Sequence, residues 1–296
     1  MFDLVPRRAD SVELDELALA FNAAFEGYLV PMSHTAATLG AMVSTNDVRL
    51  EHSFLLSGRN GAWAGVALLG VRGASGWVAG MAVAPPWRRR GVGDRLMRLL
   101  LAEAERIGVR RLQLEVLDEN ATAISLYTRL GFRAIRPLAV YMGTPRWPAY
   151  PDEPSVTDGR AIATIQANRA LSHFAAFHQI PPSWQRDLPS LRHSANRLQG
   201  MGLFEGADLR AYALYATSTQ GPAVLDFGSG AATPGERSRD AVRLLAAIIQ
   251  ETPGSTVRVI NVPPGDALGD ALETLRCPTI NHQREMVLTL ASPPAG

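Results

Sequence analysis

The residues best placed for chemistry lie in one short stretch. Arg88, Gly91 and Gly93 stand in the spacing Arg-x-x-Gly-x-Gly, within Trp87-Arg88-Arg89-Arg90-Gly91-Val92-Gly93-Asp94. The first backbone N–H groups of a helix lack intrahelical partners, and the helix dipole places partial positive charge beside them. Glycine lets the main chain approach an anion without a Cβ in the way. Two glycines, three arginines and a following helix therefore read as a device for holding phosphate. The spacing excludes two common devices of this kind. No Lys-Ser/Thr pair follows Gly93 as in a P-loop, and Leu96 stands where a dinucleotide fingerprint needs its third glycine.

A second chemical residue is Glu115, in the apolar run Arg111-Leu112-Gln113-Leu114-Glu115-Val116-Leu117. Alternation puts Leu112, Leu114 and Val116 on one face of a strand and Glu115 on the other. A carboxylate there is costly to bury alone. It either lines a cleft, where it can act as a base, or belongs to a structural ion pair.

The elements that position these residues are legible around them. The run from Trp77 to Ala84 is short, apolar and ended by Pro85-Pro86, so it reads as a buried strand. Val92, Leu96, Leu99 and Leu100 mark one face of an amphipathic helix. Upstream, a short strand (Phe2 to Val5) precedes a helix opened by Ser11, with Leu14, Leu17, Ala18, Phe21 and Phe25 as its stripe and Gly27 as its end. A loop from Tyr28 to Met32 and a helix from Ala36 to Val43 follow. Two strands, Ser53 to Leu56 and Ala62 to Val71, flank the hairpin turn Gly58-Arg59-Asn60-Gly61. A helix over 123–130 and a strand pair, Phe132 to Pro137 and Leu138 to Met142, complete an α/β (α+β layered) unit.

The stretch Asn120-Ala121-Thr122-Ala123-Ile124-Ser125-Leu126-Tyr127-Thr128-Arg129-Leu130-Gly131-Phe132 follows the Leu-Glu-Val strand. These motifs, in this order with Arg-x-x-Gly-x-Gly before them, resemble the GNAT superfamily of acyl-CoA-dependent N-acyltransferases. The likeness is greatest to the branch containing the ribosomal-protein N-terminal acetyltransferases, and it covers roughly residues 1 to 145. The resemblance implies acetyl-CoA as cofactor, with CoA as product, and a primary amine of a small molecule or a peptide N-terminus as acceptor. It implies direct attack in a ternary complex. Backbone groups of Met81, Ala82 and Val83 then flank the pantetheine arm. Arg88, Arg89, Arg90, Gly91, Val92, Gly93 and Asp94 hold the pyrophosphate, and Asn120 and Ala123 lie against the cofactor. Tyr127 protonates the leaving sulfur, Glu115 serves as base, and Tyr28 and Met32 line the acceptor site. A non-catalytic CoA-binding sensor is the alternative from another class.

Composition sets the frame. The chain has 296 residues, is 47% hydrophobic and 19% charged, and carries a net charge of +1. This predicts two globular domains, and it argues against a general nucleic-acid or membrane-surface binder despite the arginine triplet. A single cysteine, Cys277, allows no internal disulfide and no thiolate metal cluster. His173 and His178, five apart, do not share a helix face as a metal pair would. With no long apolar stretch, the expectation is a cytoplasmic monomer or homodimer without a metal.

Four prolines between Pro145 and Pro154 read as a linker. The expected division is a catalytic domain over 1–144, the linker over 145–155 and a second domain over 156–296. Helices are expected from Gly159 to Phe177 and Trp184 to Gln199, then strands Leu209 to Ala216 and Ala223 to Phe227. A helix (Ser238 to Glu251), a strand (Thr256 to Val262), a helix (Ala267 to Leu275) and a strand (Arg284 to Leu290) follow. That order repeats residues 53–142. The chemistry is missing, however: the turn before the long helix, Gly228 to Arg237, lacks the motif and carries Pro234 and Glu236. The second half therefore reads as a degenerate GNAT-like domain, packing on the first or shaping its acceptor cleft.

Overall fold

The computed structural model describes residues 4–147, 160–251 and 256–290. It divides into two compact units, Met1–Ile135 with Arg284–Gly296, and Arg136–Gln283. The first contains strand β1 (Leu4–Arg8), helices α1 (Leu14–Phe25) and α2 (Ala36–Thr45), strands β2 (Phe54–Gly58), β3 (Trp63–Arg72) and β4 (Ser75–Val83), helix α3 (Val92–Arg106), strand β5 (Arg111–Leu117) and helix α4 (Ala121–Arg129). Two long strands are shared between the units. The first three residues of β6 (Arg133–Gly143) belong to the first unit and the rest to the second; β12 (Thr279–Thr289) starts in the second unit and ends in the first.

The sheet of the first unit has the order β1-β2-β3-β4-β5-β12. Its core lies under α3 and α4. Leu96, Met97, Leu100 and Ala104 of α3 are fully buried there with Leu112, Leu114 and Val116 of β5, at the alternate positions that a pleated strand turns to one side. Met286 and Leu290, from the end of the chain, are buried in the same core. The Leu290 N–H bonds the Arg110 carbonyl at 2.8 Å, and the Arg284 guanidinium bonds Asp118 at 2.8 Å. On the other face α1 packs against β3 and β4, where Phe21 would come within 3.1 Å of a Cβ on Gly80.

The second unit repeats this plan. Strand β7 (Arg160–Thr164) is followed by short helices α5 (Ala167–Leu171), α6 (Phe174–Phe177) and α7 (Leu188–Ser194). Strands β8 (Gln199–Glu205), β9 (Asp208–Ser218) and β10 (Gly221–Ser229), helix α8 (Pro234–Glu251), strand β11 (Val257–Val262) and helix α9 (Ala267–Thr274) complete it. Its sheet order is β7-β8-β9-β10-β11-β6. Each unit thus ends its sheet on a strand from the far side of the linker. Leu244, Leu245 and Ile248 of α8 and Leu268 and Leu272 of α9 form one core, and Ile165, Leu171 and Leu191 pack with Tyr212 on the opposite face.

The structure corrects several expectations. The division at the proline-rich segment does not follow the compact units, because β6 pairs with β11 from Ala139 to Gly143 and Met286 and Leu290 complete the first core. Residues 148–159 of the expected linker lie outside the described residues. The expected strand pair over 132–142 is the single strand β6; Pro137 sits before the part paired with β11, which begins at Ala139, so its missing N–H interrupts no bond of that ladder. Residues 160–164 form an edge strand paired with β8 instead of a helix. The segment 184–199 is a 3₁₀ turn, the short α7 with Pro189 in its first turn, and the start of β8, a strand the sequence reading lacked. Ser11 does not cap α1. Its hydroxyl bonds the Arg8 carbonyl in a 3₁₀ turn, and the helix begins at Leu14. No described helix is long and apolar enough to cross a membrane.

Candidate active site

The site begins where two strands part. Strands β4 and β5 pair in parallel at Ser75↔Arg111, Gly76↔Leu112 and Trp77↔Gln113, and the paired register ends there. Just beyond, the β3–β4 register shifts opposite Val78 and Gly80, a bulge that bends β4. Met81, Ala82 and Val83 then pair with β3 alone, at Ala67, Val66 and Gly65. The edge of β4 that faces β5 is left open for an extended ligand that can bond like a strand.

At the end of β4 the chain turns into α3. Arg89 and Gly91 both adopt the left-handed conformation, with φ of 58° and 78°. Arginine in that region costs roughly 1 kcal/mol or more, a strain concentrated at functional turns. Gly91 is the N-cap and has no side-chain cap; a Cβ there would meet nothing within 4 Å. The first intrahelical bond described runs from the Arg95 N–H to the Gly91 carbonyl at 3.0 Å. The N–H groups of Val92, Gly93 and Asp94 precede it and point outward from an uncapped helix end, as an oxyanion requires. The Asp94 carboxylate turns along the helix to Arg98, at 2.7 Å.

Arg88, the residue that opens the motif, faces away from this cradle. Its Nε donates to the Val83 carbonyl at 2.8 Å, and its Nη2 donates to the Ala24 carbonyl at 3.4 Å and to the Glu26 carbonyl. The guanidinium thus ties the C-terminal end of α1 to the end of β4. Arg89 and Arg90 are exposed.

Asn120 is the N-cap of α4, its Oδ1 accepting from the Ala123 N–H at 3.1 Å. The backbone donor of Ala123 is therefore engaged within the helix. The Asn120 side chain lies near the Tyr28 phenol and lowers its pKa, which burial nonetheless holds above its ordinary value. About two helical turns further on, Tyr127 is 6% exposed and packs 5.8 Å from the ring of Phe132. Burial, and then the neighbouring Tyr28, push its pKa well above the usual phenol value. Tyr28, Asn120 and Tyr127 therefore form one polar cluster. Glu115 stands apart from it, half-buried, accepting a 2.6 Å bond from the Trp77 indole N–H. Met32 is exposed.

Sequence reasoning took Phe21 and Phe25 only as packing residues and passed over His34. In the structure Phe21 stacks on Phe25 at 4.4 Å, Phe25 meets Tyr28 edge-on at 5.3 Å, and His34 meets Phe21 edge-on at 5.1 Å. Asn22 pins the loop, its side chain exchanging two 2.8 Å bonds with the backbone of His34. Burial lowers the His34 pKa, so the ring is neutral at pH 7. The signal was present as aromatic spacing along α1, but that spacing is also what an ordinary core stripe shows.

The second unit has the same frame with different contents. Strand β10 pairs with β11 in parallel at Ala223↔Arg258. The turn into α8 is occupied by its own side chains: the Arg237 guanidinium donates to the Ala231 and Ala232 carbonyls at 2.9 and 3.0 Å, and Glu236 accepts from the Thr233 N–H and hydroxyl. Phe177 lies against the backbone at Gly228 and Gly230, where an added Cβ would come within 3.0 and 2.7 Å of it. Asp266 caps α9 as Asn120 caps α4. Seven residues after the cap, Glu273 stands where the first unit has Tyr127. Among the described residues no group of acidic, histidine or cysteine side chains is arranged to hold a metal.

The pattern that defines the Acetyltransferase (GNAT) family matches residues 22–132. A [Ribosomal protein bS18]-alanine N-acetyltransferase of Escherichia coli K12 is 32% identical over 157 residues, which cover 53% of this chain and 93% of that protein. Among solved structures, a tandem GNAT protein from the clavulanic acid biosynthesis pathway superposes with a TM-score of 0.72 at 13% identity, covering 99% of both chains. A GCN5-related N-acetyltransferase from Sphaerobacter thermophilus gives 0.70 at 14% identity, covering 99% of this chain and 98% of that one. At such low identity these two likenesses speak for the fold alone, and the family rests on the sequence match to the first unit: the chain is an acyltransferase of the GNAT acetyltransferase family.

Proposed function

We propose that the first unit transfers an acetyl group from acetyl-CoA to a primary amine, with a peptide N-terminus as the favoured acceptor. The observation that carries this reading is the pairing of an uncapped α3 turn with an open edge of β4, beside a buried phenol. The turn offers three outward N–H groups to a pyrophosphate, and the edge offers backbone partners to an extended pantetheine. The acceptor class is suggested by the Escherichia coli relative, which acts on the alanine of a ribosomal protein.

Bound acetyl-CoA would supply an activated acyl group and a thiolate leaving group. The residues would handle two protons. Glu115 would take one from the incoming ammonium, directly or through one water, so that the amine nitrogen attacks the carbonyl carbon. The Trp77 indole N–H holds the carboxylate in place. As the carbon–sulfur bond breaks, Tyr127 would give its proton to the sulfur. Its raised pKa keeps that proton in place across the physiological range. Backbone N–H groups at Met81 to Val83 would polarise the thioester oxygen. The second unit is read as degenerate, since Arg237, Glu236 and Phe177 fill the places a cofactor would need.

The test is CoA release from acetyl-CoA across N-terminal-alanine peptides, polyamines, amino acids and aminoglycosides. Cys277 is 6% exposed and its thiol is pushed up to about 11 by burial, so it stays silent in a thiol assay. Tyr127→Phe is expected to lower kcat by about 10²-fold or more with acetyl-CoA affinity nearly unchanged. Glu115→Gln should lose a similar factor at pH 7 and recover as pH rises through the α-amino pKa of about 8, where the amine no longer needs a base. Unchanged turnover in Tyr127→Phe would reject the acid. Tight binding of acetyl-CoA with no turnover on any amine would favour a sensor, and failure to bind it would reject the cofactor reading.

A further inference from the structure

Arg88 sits in the phosphate motif, yet its guanidinium makes three bonds to carbonyl oxygens and points to a different task. Ala24 and Glu26 lie at the C-terminal end of α1, where carbonyls lack helical partners and a cation is favoured. Val83 is the last residue of β4, at the open edge. Two residues beyond Glu26 comes Tyr28, whose N–H bonds the Phe25 carbonyl at 3.0 Å and whose phenol lies near the Asn120 cap of α4. The short segment from Ala24 to Tyr28 is therefore tied by Arg88 to the end of β4, and its far end lies beside the cap that follows β5. Gly27, with φ of 64°, makes the bend between them, and a Cβ there would lie 3.8 Å from the Arg88 Nη1.

From this geometry we infer that Arg88 is a positioning residue for the acceptor, which fixes the Ala24–Tyr28 segment across the cofactor cleft and does not act as a ligand to phosphate. The planar fork matters, because a lysine cannot reach Val83 and the α1 carbonyls together. Only two residues separate Arg88 from Gly91, so one tetrapeptide both shapes the cofactor turn and anchors the acceptor wall. The inference rests on the cofactor turn of the proposed function and on the acceptor role that the family resemblance implies for Tyr28.

Three measurements on the full chain test it. Amide hydrogen exchange over residues 24–32 is compared in wild type, Arg88→Ala and Arg88→Lys without ligand. Acetyl-CoA affinity is measured by calorimetry, and KM and kcat with an N-terminal-alanine peptide. In Arg88→Ala, exchange over 24–30 should speed up about tenfold or more, since an anchored turn opens locally once untied. Acceptor KM should rise about tenfold, acetyl-CoA Kd should stay within about threefold, and Arg88→Lys should recover part of the loss. A rise of about tenfold in acetyl-CoA Kd with exchange unchanged would instead make Arg88 a phosphate ligand. No change in any of the three would show the tie to be idle, and either result overturns the proposal. If Arg88→Ala does not fold, Gly27→Ala strains the same bend with the arginine intact; an unchanged acceptor KM there overturns it as well. Should wild type fail to bind acetyl-CoA, the cofactor reading falls, while the exchange comparison still decides whether Arg88 holds the segment.

Discussion

Single side chains in the first unit do more structural work than their types suggest, and Glu103 is the clearest case. It is 4% exposed on α3, yet bonds Arg106 at 2.8 Å, Arg8 at 2.9 Å and His52 at 2.8 Å. Arg106 above all, then Arg8 and His52, hold its carboxyl well below the usual carboxylate range. A depressed folded-state pKa means that the ion pairs stabilise the fold fully above about pH 4.5 and are lost as pH falls toward the folded value. Glu103→Gln should therefore lower the urea midpoint at pH 7 and flatten the loss of stability between about pH 5 and pH 2. A wild-type curve that already lacks this acid limb would contradict the assignment. Most of this hub is not legible from sequence, because only Arg106 is a helical neighbour; Arg8 and His52 reach Glu103 only through the fold. Arg88 is the converse. Its place in the motif is plain from spacing, but the direction of its side chain depends on where α1 ends.

At the scale of elements, the legible parts were those with strong local signals. Strand β5 falls on the predicted residues because strict alternation and flanking polar residues leave little choice. Helix α3 follows from its stripe and glycine turn. Strands β7 and β8 escaped for physical reasons. Arg160-Ala-Ile-Ala-Thr164 is an edge strand with four exposed positions and two alanines, so it shows no apolar period. Gln199-Gly-Met-Gly202 places glycines where side chains would have marked the alternation. The α4 cap offers an element-scale test that separates two tasks of one residue. Asn120→Ala removes the cap and should cost about 1 kcal/mol, or a melting point lower by about 2–4 °C. Asn120→Asp keeps an equivalent cap and should leave the melting point nearly unchanged, while removing the amide that meets Tyr28. Weaker acceptor binding in both variants, with only the first less stable, is the expected pattern in parallel melting and kinetic measurements.

The whole molecule is built as a repeated plan, and its order of elements is legible from β2 to α4 and again from β9 to β12. What the sequence could not show was which half each final strand would join, since long-range pairing leaves no local mark. The consequence for the division is testable. A fragment ending at residue 147 keeps every residue of the proposed site but loses Met286 and Leu290 from its core and the Arg284–Asp118 pair. It should be poorly soluble and should unfold without a sharp transition by circular dichroism. Adding residues 284–290 after a short linker at Ile135 should restore cooperative melting. A fragment ending at 147 that melts as sharply as the full chain would mean that the exchanged strand adds little.

The same exchange bears on how the protein is made. Roughly 150 residues lie between Ile135 and Arg284, and at about 5–20 residues per second a ribosome needs on the order of ten to thirty seconds to cross them. Throughout that interval the first unit has its helices and five strands outside the tunnel but not its sixth. The open side of β5 is then a template for any passing strand, including the equivalent one of another nascent chain. The first half of this polypeptide is thus synthesised early, and the sheet beside the proposed site is completed only once β12 has followed the whole of the second unit.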